Sequence, residues 1–255
     1  HLSCIGFGTE TELQRVTKNI CRYNNAPTLS KMKGYLVNTT EDGCRVVGVR
    51  PGMAESFGFF FRKFDASQRM PLEVLYPFEF VDKLKELLSF TIAGCMNTGL
   101  TGQQATGKTT CLMSLIYYLP AALSIRLQEM AFELYLRKVY PNRNIMTFVD
   151  TPTVSAQAGI ELTKKTDGDV NLFGEVAQSS VVPLALKMGQ TGSAMLMFTS
   201  HHKTTDDLVN EWGDDLVSEG ASTDSFKATQ TVASVLDMDI HLERAINGLR
   251  YIARV

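Results

Sequence analysis

Residues Gly102–Thr109 read GQQATGKT and fit the phosphate-loop pattern G-x-x-x-x-G-K-[ST] in full. Such a loop needs a strand that ends just before it and a helix that begins inside it. Glycines let the backbone wrap an anion so that several N–H groups point inward, and the helix adds the positive end of its dipole. The alternative is a chance match in a Gly/Thr-rich turn, but with a helix following, the pattern predicts a strand–loop–helix unit and a nucleoside triphosphate as its ligand. Thr110–Leu119 (TCLMSLIYYL) is apolar and long enough for the helix, and Pro120 stops it. Cys95–Thr101 reads as the strand, although it carries Gly99, which a buried strand normally avoids. The binding set expected from the pattern is Gly102, Gln103, Gln104, Ala105, Thr106, Gly107, Lys108, Thr109 and the adjoining Thr110. Within it Lys108 reaches the β- and γ-phosphates, and the Thr109 hydroxyl is a ligand for Mg²⁺.

A chain of 255 residues, 44% of them hydrophobic, can form one large or two modest domains with a real core. The net charge of −2 argues against coating nucleic acid by bulk charge. Cys4, Cys21, Cys44, Cys95 and Cys111 show no C-x-x-C spacing, which favours reduced thiols in a cytoplasmic protein over a disulfide frame or a zinc site. No run of eighteen apolar residues is long enough to span a membrane, and no signal peptide is evident. The start at His1 and the stop at Val255, inside a strand-like run, suggest a trimmed chain.

Two blocks follow from the pattern of elements. Residues 1–70 read as a small α+β domain: a helix at Thr11–Asn24, then strands at Tyr35–Thr39, Cys44–Arg50 and Phe57–Phe64. Residues Gln68–Pro77, with two prolines, read as a hinge, and 71–77 as the linker proper. Residues 78–255 alternate. Helices are expected at Phe78–Phe90, Ala131–Tyr140, Val154–Lys165, Ser179–Met188 and Asp206–Glu219. Strands are expected at Ser124–Leu127, Asn144–Val149, Val170–Phe173 and Ala194–Thr199, and a terminal hairpin is expected around Asn247-Gly248. Alternation of this kind predicts an α/β fold with a largely parallel sheet covered on both faces, the phosphate loop at a strand's carboxyl end.

Hydrolysis of a bound nucleotide needs acidic groups for Mg²⁺ and for water. Asp169–Val176 (DVNLFGEV) is a strand ending in Gly-Glu, so Glu175 either reaches the Mg²⁺ shell through water or is a surface residue in a strand-ending turn. Glu129 follows a short strand and Glu133 comes four residues later, on the same face if the segment is helical. One of the pair would polarise water while the other holds the metal or a neighbouring chain; alternatively both belong to a solvated helix face. Thr199–Thr205 (TSHHKTT) places histidines at a strand's carboxyl end, where one could sense the γ-phosphate as a neutral donor or simply open a polar loop. A metal pair is not expected, because adjacent histidines in a strand point to opposite faces. Arg45, Arg50, Arg62, Lys63 and Arg69 lie among Phe57, Phe59, Phe60, Phe61 and Phe64. They are either aimed at nucleotide phosphate or form a solvated sheet face over an aromatic core.

Taken in order, these motifs resemble the traffic ATPases of type II and type IV secretion, pilus assembly and conjugation, most of all the Flp/Tad pilus and conjugation branch. Gly102–Thr109 matches the family's Walker A, Glu129 in EMAFEL its acidic box, and DVNLFGEV ending in Glu175 its Walker B strand. GQTG (Gly189–Gly192) and TSHH match the segment around its histidine box, with His201 as the counterpart histidine. Val49–Phe64 looks like the nucleotide-facing end of its N-terminal domain. The resemblance implies a RecA-like ATPase domain joined by a hinge to the N-terminal domain, and a cytoplasmic ring, usually hexameric. The ring would be peripheral at the inner face of a bacterial cell membrane, partnered by an inner-membrane component of the machine, with ATP and Mg²⁺ as cofactors. It implies Glu129, Glu175 and His201 as catalytic residues, Thr109 and Glu175 as metal ligands, and Arg50 and Arg62 as phosphate-neutralising residues. Met130 stands where the family commonly has an acidic residue, Ala177 where arginine often follows, and Pro183 is expected to interrupt the helix after Walker B. The first reading is a motor that couples ATP hydrolysis to domain motion in such a machine; the departures at Met130 and Ala177 favour the alternative of a nucleotide-gated, non-hydrolysing scaffold ring in the same apparatus. A stand-alone P-loop kinase would need an acceptor pocket for which no motif is present.

Overall fold

A computed structural model of the chain describes residues 7–22, 29–30, 32–40, 43–63, 70–129, 133–149, 156–190 and 193–255. The chain divides into two compact units, His1–Ser67 and Gln68–Val255.

In the smaller unit, helix α1 (Glu10–Cys21) starts where the Thr9 hydroxyl accepts the amide of Glu12, 3.2 Å away. Glu10 and Glu12 in its first turn favour the positive end of the helix dipole. Strands β1 (Tyr35–Thr39), β2 (Arg45–Val49) and β3 (Gly58–Arg62) form an antiparallel sheet in that order. Leu36 and Val46 are buried, and with Cys21, Leu29 and Phe57 they form the core of the unit. Gly48 lets α1 approach: a Cβ there would lie 2.1 Å from the Cys21 sulfur. The three strands fall where the sequence places them. The expected end of the helix, at Asn24, lies outside the described residues.

The larger unit begins with α2 (Leu72–Leu75) and α3 (Val81–Ala93). Residues 71–77, read from their prolines as a linker, contain α2, and Leu72 and Tyr76 are buried in the core. Gln68 and Arg69 lie outside the described residues. Strand β4 (Thr98–Thr101), α4 (Lys108–Leu115), β5 (Ile125–Glu129), α5 (Leu136–Val139) and β6 (Ile145–Val149) follow. After them come α6 (Ala156–Lys164), β7 (Val170–Phe173), α7 (Val182–Gln190), β8 (Met195–Thr199), α8 (Thr205–Ser218), α9 (Ser225–Val235), β9 (Met238–Arg244) and β10 (Arg250–Arg254). The sheet order is β10-β9-β4-β8-β7-β5-β6, with every pairing parallel except the terminal hairpin β9–β10.

Alternation along β8 shows how both faces are covered. Met195 and Met197 join the core under α2, α3 and α4, whereas Leu196 and Phe198 join the core under α7, α8 and α9. Fully burying side chains of this size stabilises by about 1.5–3 kcal/mol each, so neither face can be left bare. Gly99 in β4 has its explanation here. A Cβ on it would lie 2.8 Å from Cζ of Phe198, whose ring stacks at 4.5 Å on Trp212.

Four expectations are corrected. Among the described residues of the helix expected at Ala131–Tyr140, Leu136–Val139 are helical and Glu133–Tyr135 are not, and Tyr135 has a left-handed φ of 45°. Residues 131 and 132 lie outside the described residues. Pro183 does not interrupt a helix: it sits in the first turn of α7, where a missing N–H costs no hydrogen bond. The helix after the phosphate loop is shorter than expected, turning to 3-10 geometry at Ile116–Tyr118. Helix α9 was not expected, although Asp224 caps it and Ala228, Val232 and Val235 line its buried face.

Substituting Gly99 by Val should destabilise the protein by about 1–3 kcal/mol through overpacking. Shortening the ring in Gly99→Val/Phe198→Leu should recover part of the loss. Urea unfolding of the three proteins measures both effects, and an equally stable Gly99→Val protein would contradict the contact.

Candidate active site

The register of the parallel strands brings four chain segments to one edge. Pairing of Gln128 with Phe173, Phe173 with Phe198 and Leu100 with Thr199 aligns the carboxyl ends of β5, β7, β8 and β4. Backbone bonds carry the pairing past the strands: Gly174 to Gln128 at 2.9 Å, Val176 to Thr199 at 2.9 Å and Ser200 to Leu100 at 3.0 Å. Gly102, Glu129, Glu175 and His201 consequently leave the same edge of the sheet.

The loop from Gly102 to Gly107 is tight. Gly102, Ala105 and Gly107 have φ of 136°, 64° and 98°. Glycine adopts these values freely, whereas for Ala105 the left-handed region costs about 1–2 kcal/mol. A Cβ on Gly102 would lie 2.1 Å from the Leu242 carbonyl oxygen of β9. The Thr106 hydroxyl donates to the Gln103 carbonyl at 2.9 Å and closes the turn. Gly107 caps α4 with no side-chain hydrogen bond, so the first-turn amides of that helix remain donors for an anion.

Lys108 is buried, and its ammonium has three acceptors: the Gly102 carbonyl at 2.7 Å, the Gln103 carbonyl at 2.9 Å and Nδ1 of His201 at 3.1 Å. Burial pulls the Lys108 pKa down to about 8, opposed by the charge of Glu175. Because Nδ1 accepts from the ammonium, the His201 proton belongs on Nε2, which faces Oε1 of Glu175 at 3.0 Å. Lys108, His201 and Glu175 are thus one hydrogen-bonded chain across three segments.

Glu129 ends β5 and is buried. Its Oε1 accepts the amides of Glu133 (3.2 Å) and Leu134 (2.9 Å), while Oε2 has no hydrogen-bond partner among the described residues. Burial raises its pKa to about 7, against the pull of those two amides. Gly174 makes room for it, since a Cβ there would lie 3.1 Å from Cγ of Glu129. Glu129 and Glu175 line one cleft together with Gln128, Phe173 and Gln178. The Glu129–Glu133 helix face expected from their spacing does not form, because Glu129 ends β5 and Glu133 is not helical; Glu133 contributes its backbone amide.

The adjacent histidines, which follow the end of β8, point apart. His201 joins the phosphate loop, whereas His202 is buried, contacts the Ser200 hydroxyl through Nδ1 and lies 3.1 Å from Glu211 of α8 through Nε2. Thr109 is the second residue of α4 and half-buried; Thr110, Gln103 and Gln104 are exposed. Arg50 and Arg62 belong to the smaller unit. Arg50 lies over the Phe57 ring at 5.9 Å, and Arg62 ends β3 in register with Arg45. Among the described residues no group of three or more His, Cys, Asp or Glu side chains forms a metal site. The oxygen-only donors near the loop, the Thr109 hydroxyl and the Glu175 carboxylate, suit Mg²⁺, which takes its remaining ligands from phosphate and water. The unpartnered Oε2 of Glu129 is an acceptor for such a water.

Sequence reading missed three contributors. Arg250 of β10 donates through Nε to the Ala105 carbonyl at 2.9 Å. Below the loop, the Thr101 hydroxyl donates to Asp239 (2.7 Å) and accepts from Nδ1 of His241 (2.8 Å). Thr205 at the start of α8 donates to the other Asp239 oxygen at 2.6 Å. The only sequence signal for these is polar residues inside an otherwise apolar strand, Met238–Leu242.

The Glu129 carboxyl carries a stability prediction. Its folded pKa lies above its unfolded value, so between about pH 4.5 and 7 the folded state holds more protons and stability falls as pH rises. Glu129→Gln should therefore be more stable than the parent at pH 7.5 by about 1–2 kcal/mol, with the advantage gone near pH 4.5. Denaturant unfolding across this range tests it; a constant difference would contradict the burial effect.

The sequence matches no protein-family model and no curated protein, but solved structures are similar to the chain. The VirB11 ATPase from the Brucella suis type IV secretion system, in complex with sulphate, is 17% identical over 96% of this chain and 79% of its own, with a TM-score of 0.56. The Legionella pneumophila ATPase DotB is 12% identical over 93% of this chain and 66% of its own, TM-score 0.62. The pilus retraction motor PilT with bound ADP is 18% identical over 88% of this chain and 63% of its own, TM-score 0.61. The chain thus spans somewhat less than two thirds of the DotB and PilT chains. With its small antiparallel sheet and its mostly parallel seven-stranded sheet, it has the fold of the type II/IV secretion traffic ATPases, the family its motifs resemble.

Proposed function

We propose that the protein is a Mg²⁺-dependent ATP hydrolase that works as a ring, usually a hexamer, and powers a type IV secretion, conjugation or pilus assembly machine. It would act in the cytoplasm, peripheral to the membrane and docked on an inner-membrane component; among the described residues no helix is long and apolar enough to cross a membrane. The observation that carries this reading is the Lys108–His201–Glu175 chain at the phosphate loop, with the buried Glu129 in the adjoining cleft.

Each residue has a role in keeping with its surroundings. The loop amides and Lys108 hold the β- and γ-phosphates, and Lys108 exchanges loop carbonyls for phosphate oxygens as it does so. Thr109, supported by Glu175, holds the Mg²⁺, which supplies charge neutralisation at the phosphates. Glu129 orients the attacking water; a carboxyl with a pKa of about 7 is balanced between accepting and releasing its proton near neutral pH. His201 loses or gains its Lys108 contact with the γ-phosphate and passes that change to β8. Arg50 and Arg62 of the smaller unit are assigned to neutralising phosphate charge, in this subunit or the next. Hydrolysis would then drive rotation of one unit relative to the other about the connection that precedes α2.

Steady-state Mg²⁺-dependent ATP hydrolysis over a range of protein concentrations tests the proposal. Specific activity should rise with concentration as rings assemble, and Lys108→Ala should abolish it. Glu129→Gln should lower kcat by about 100-fold or more while binding ATP. A Glu129→Gln protein working at the parent rate removes that residue from the mechanism. Tight ATP binding without turnover in an assembled parent ring would replace the motor by the nucleotide-gated scaffold.

A further inference from the structure

Each of the three phosphate-loop residues with positive φ is backed by the terminal hairpin β9–β10. Gly102 lies against the Leu242 carbonyl, so closely that a Cβ would reach 2.1 Å from its oxygen. Ala105 offers its carbonyl to Nε of Arg250 at 2.9 Å. Gly107 lies under the same side chain: a Cβ there would be 3.2 Å from Cδ of Arg250. Ala105 differs from the other two. It alone carries a Cβ in the left-handed region, so its conformation must be imposed from outside. Among the described residues, the Arg250 bond is the one side-chain contact made by the Ala105 backbone.

We propose that Arg250 is a positioning residue: it holds the Ala105 peptide in its strained conformation and so keeps the loop amides aimed at phosphate. The guanidinium is suited to this. Its Nε is spent on one carbonyl at a fixed angle, and its stem lies along Gly107, so the side chain braces the loop at two points. A consequence is that the hairpin and the loop are mechanically joined. Any displacement of β10 relative to β4 would release Ala105 and lower anion affinity. This inference rests on the reading of the loop as a nucleotide site.

The test is a double-mutant cycle read by equilibrium titration with a fluorescent ATP analogue and Mg²⁺, using the full chain. The proteins are the parent, Arg250→Ala, Ala105→Gly and Arg250→Ala/Ala105→Gly, with Lys108→Ala as control. Arg250→Ala should weaken binding about fivefold to tenfold in the parent background. In the Ala105→Gly background the same truncation should cost less than about twofold, because glycine holds this conformation without the Cβ clash. Ligand-free melting temperatures of the Arg250→Ala pair should match their backgrounds, since Arg250 is exposed. Equal binding by parent and Arg250→Ala overturns the proposal. So does an equal loss in both backgrounds, with or without a fall in melting temperature. A parent that binds no nucleotide overturns the nucleotide reading itself, and this inference falls with it; binding by the parent that Arg250→Ala leaves intact overturns only the latter.

Discussion

A buried ammonium has to be met by acceptors, and the site is organised around the three that meet Lys108. Leaving one such charge unpaired in the interior would cost several kcal/mol, enough to consume much of a domain's net stability. Two of the acceptors are loop carbonyls, so the loop must fold back over its own lysine. The third is His201, which comes from the segment that follows β8. The loop's shape and the pairing of β4 with β8 are therefore tied to one group. A slip of one residue in that pairing would turn His201 to the far face and leave Lys108 short of a partner.

A second buried polar cluster ties β4 to its other neighbour, β9. Asp239 takes hydroxyl protons from Thr101 and Thr205, and His241 donates to Thr101. Thr101 has one proton to give, so its bond to Asp239 assigns the Nδ1 proton to His241. The cluster joins the last residue before the loop to β9 and to the first residue of α8. Loop, hairpin and α8 thus share a satisfied network rather than an apolar contact, and such networks favour one arrangement over several near-equal ones.

The loop, the three strands of the smaller unit and the strand–helix alternation were legible because each rests on local signals: a complete motif, period-2 patterning, or apolar runs bounded by turns. What was not legible depended on long-range contact. Gly99 looked wrong for a buried strand until Phe198, nearly a hundred residues away in sequence, was seen to need its space. The segment after Glu129 reads as helix by composition, yet the Glu129 carboxylate takes the amides of Glu133 and Leu134 as partners outside any helix. Helix α9 is rich in Thr, Val and Ser, whose local preference leans toward strand, and it forms because Ala228, Val232 and Val235 reach a common core. For the site, the hydrogen-bonded chain of Lys108, His201 and Glu175 depends on three separate segments meeting at one sheet edge. Arg250 carried no motif signal, because an arginine after an Asn-Gly turn reads as an ordinary hairpin residue.

On the proposed function, two carboxylates would stand beside a triphosphate and pose an electrostatic problem, and their surroundings separate them. Glu129 is enclosed, and burial lifts its pKa to about 7, so near neutral pH a large part of it carries no charge. Glu175 is open to solvent and set against the Nε2 proton of His201, within the field of Lys108. The anion would thus meet one carboxyl that is about half charged and another already tied to a cationic chain. That arrangement lets an acidic pair stand at a phosphate site without driving the phosphate away. It also divides their tasks: the enclosed carboxyl suits proton exchange with water, and the exposed one suits a hard cation.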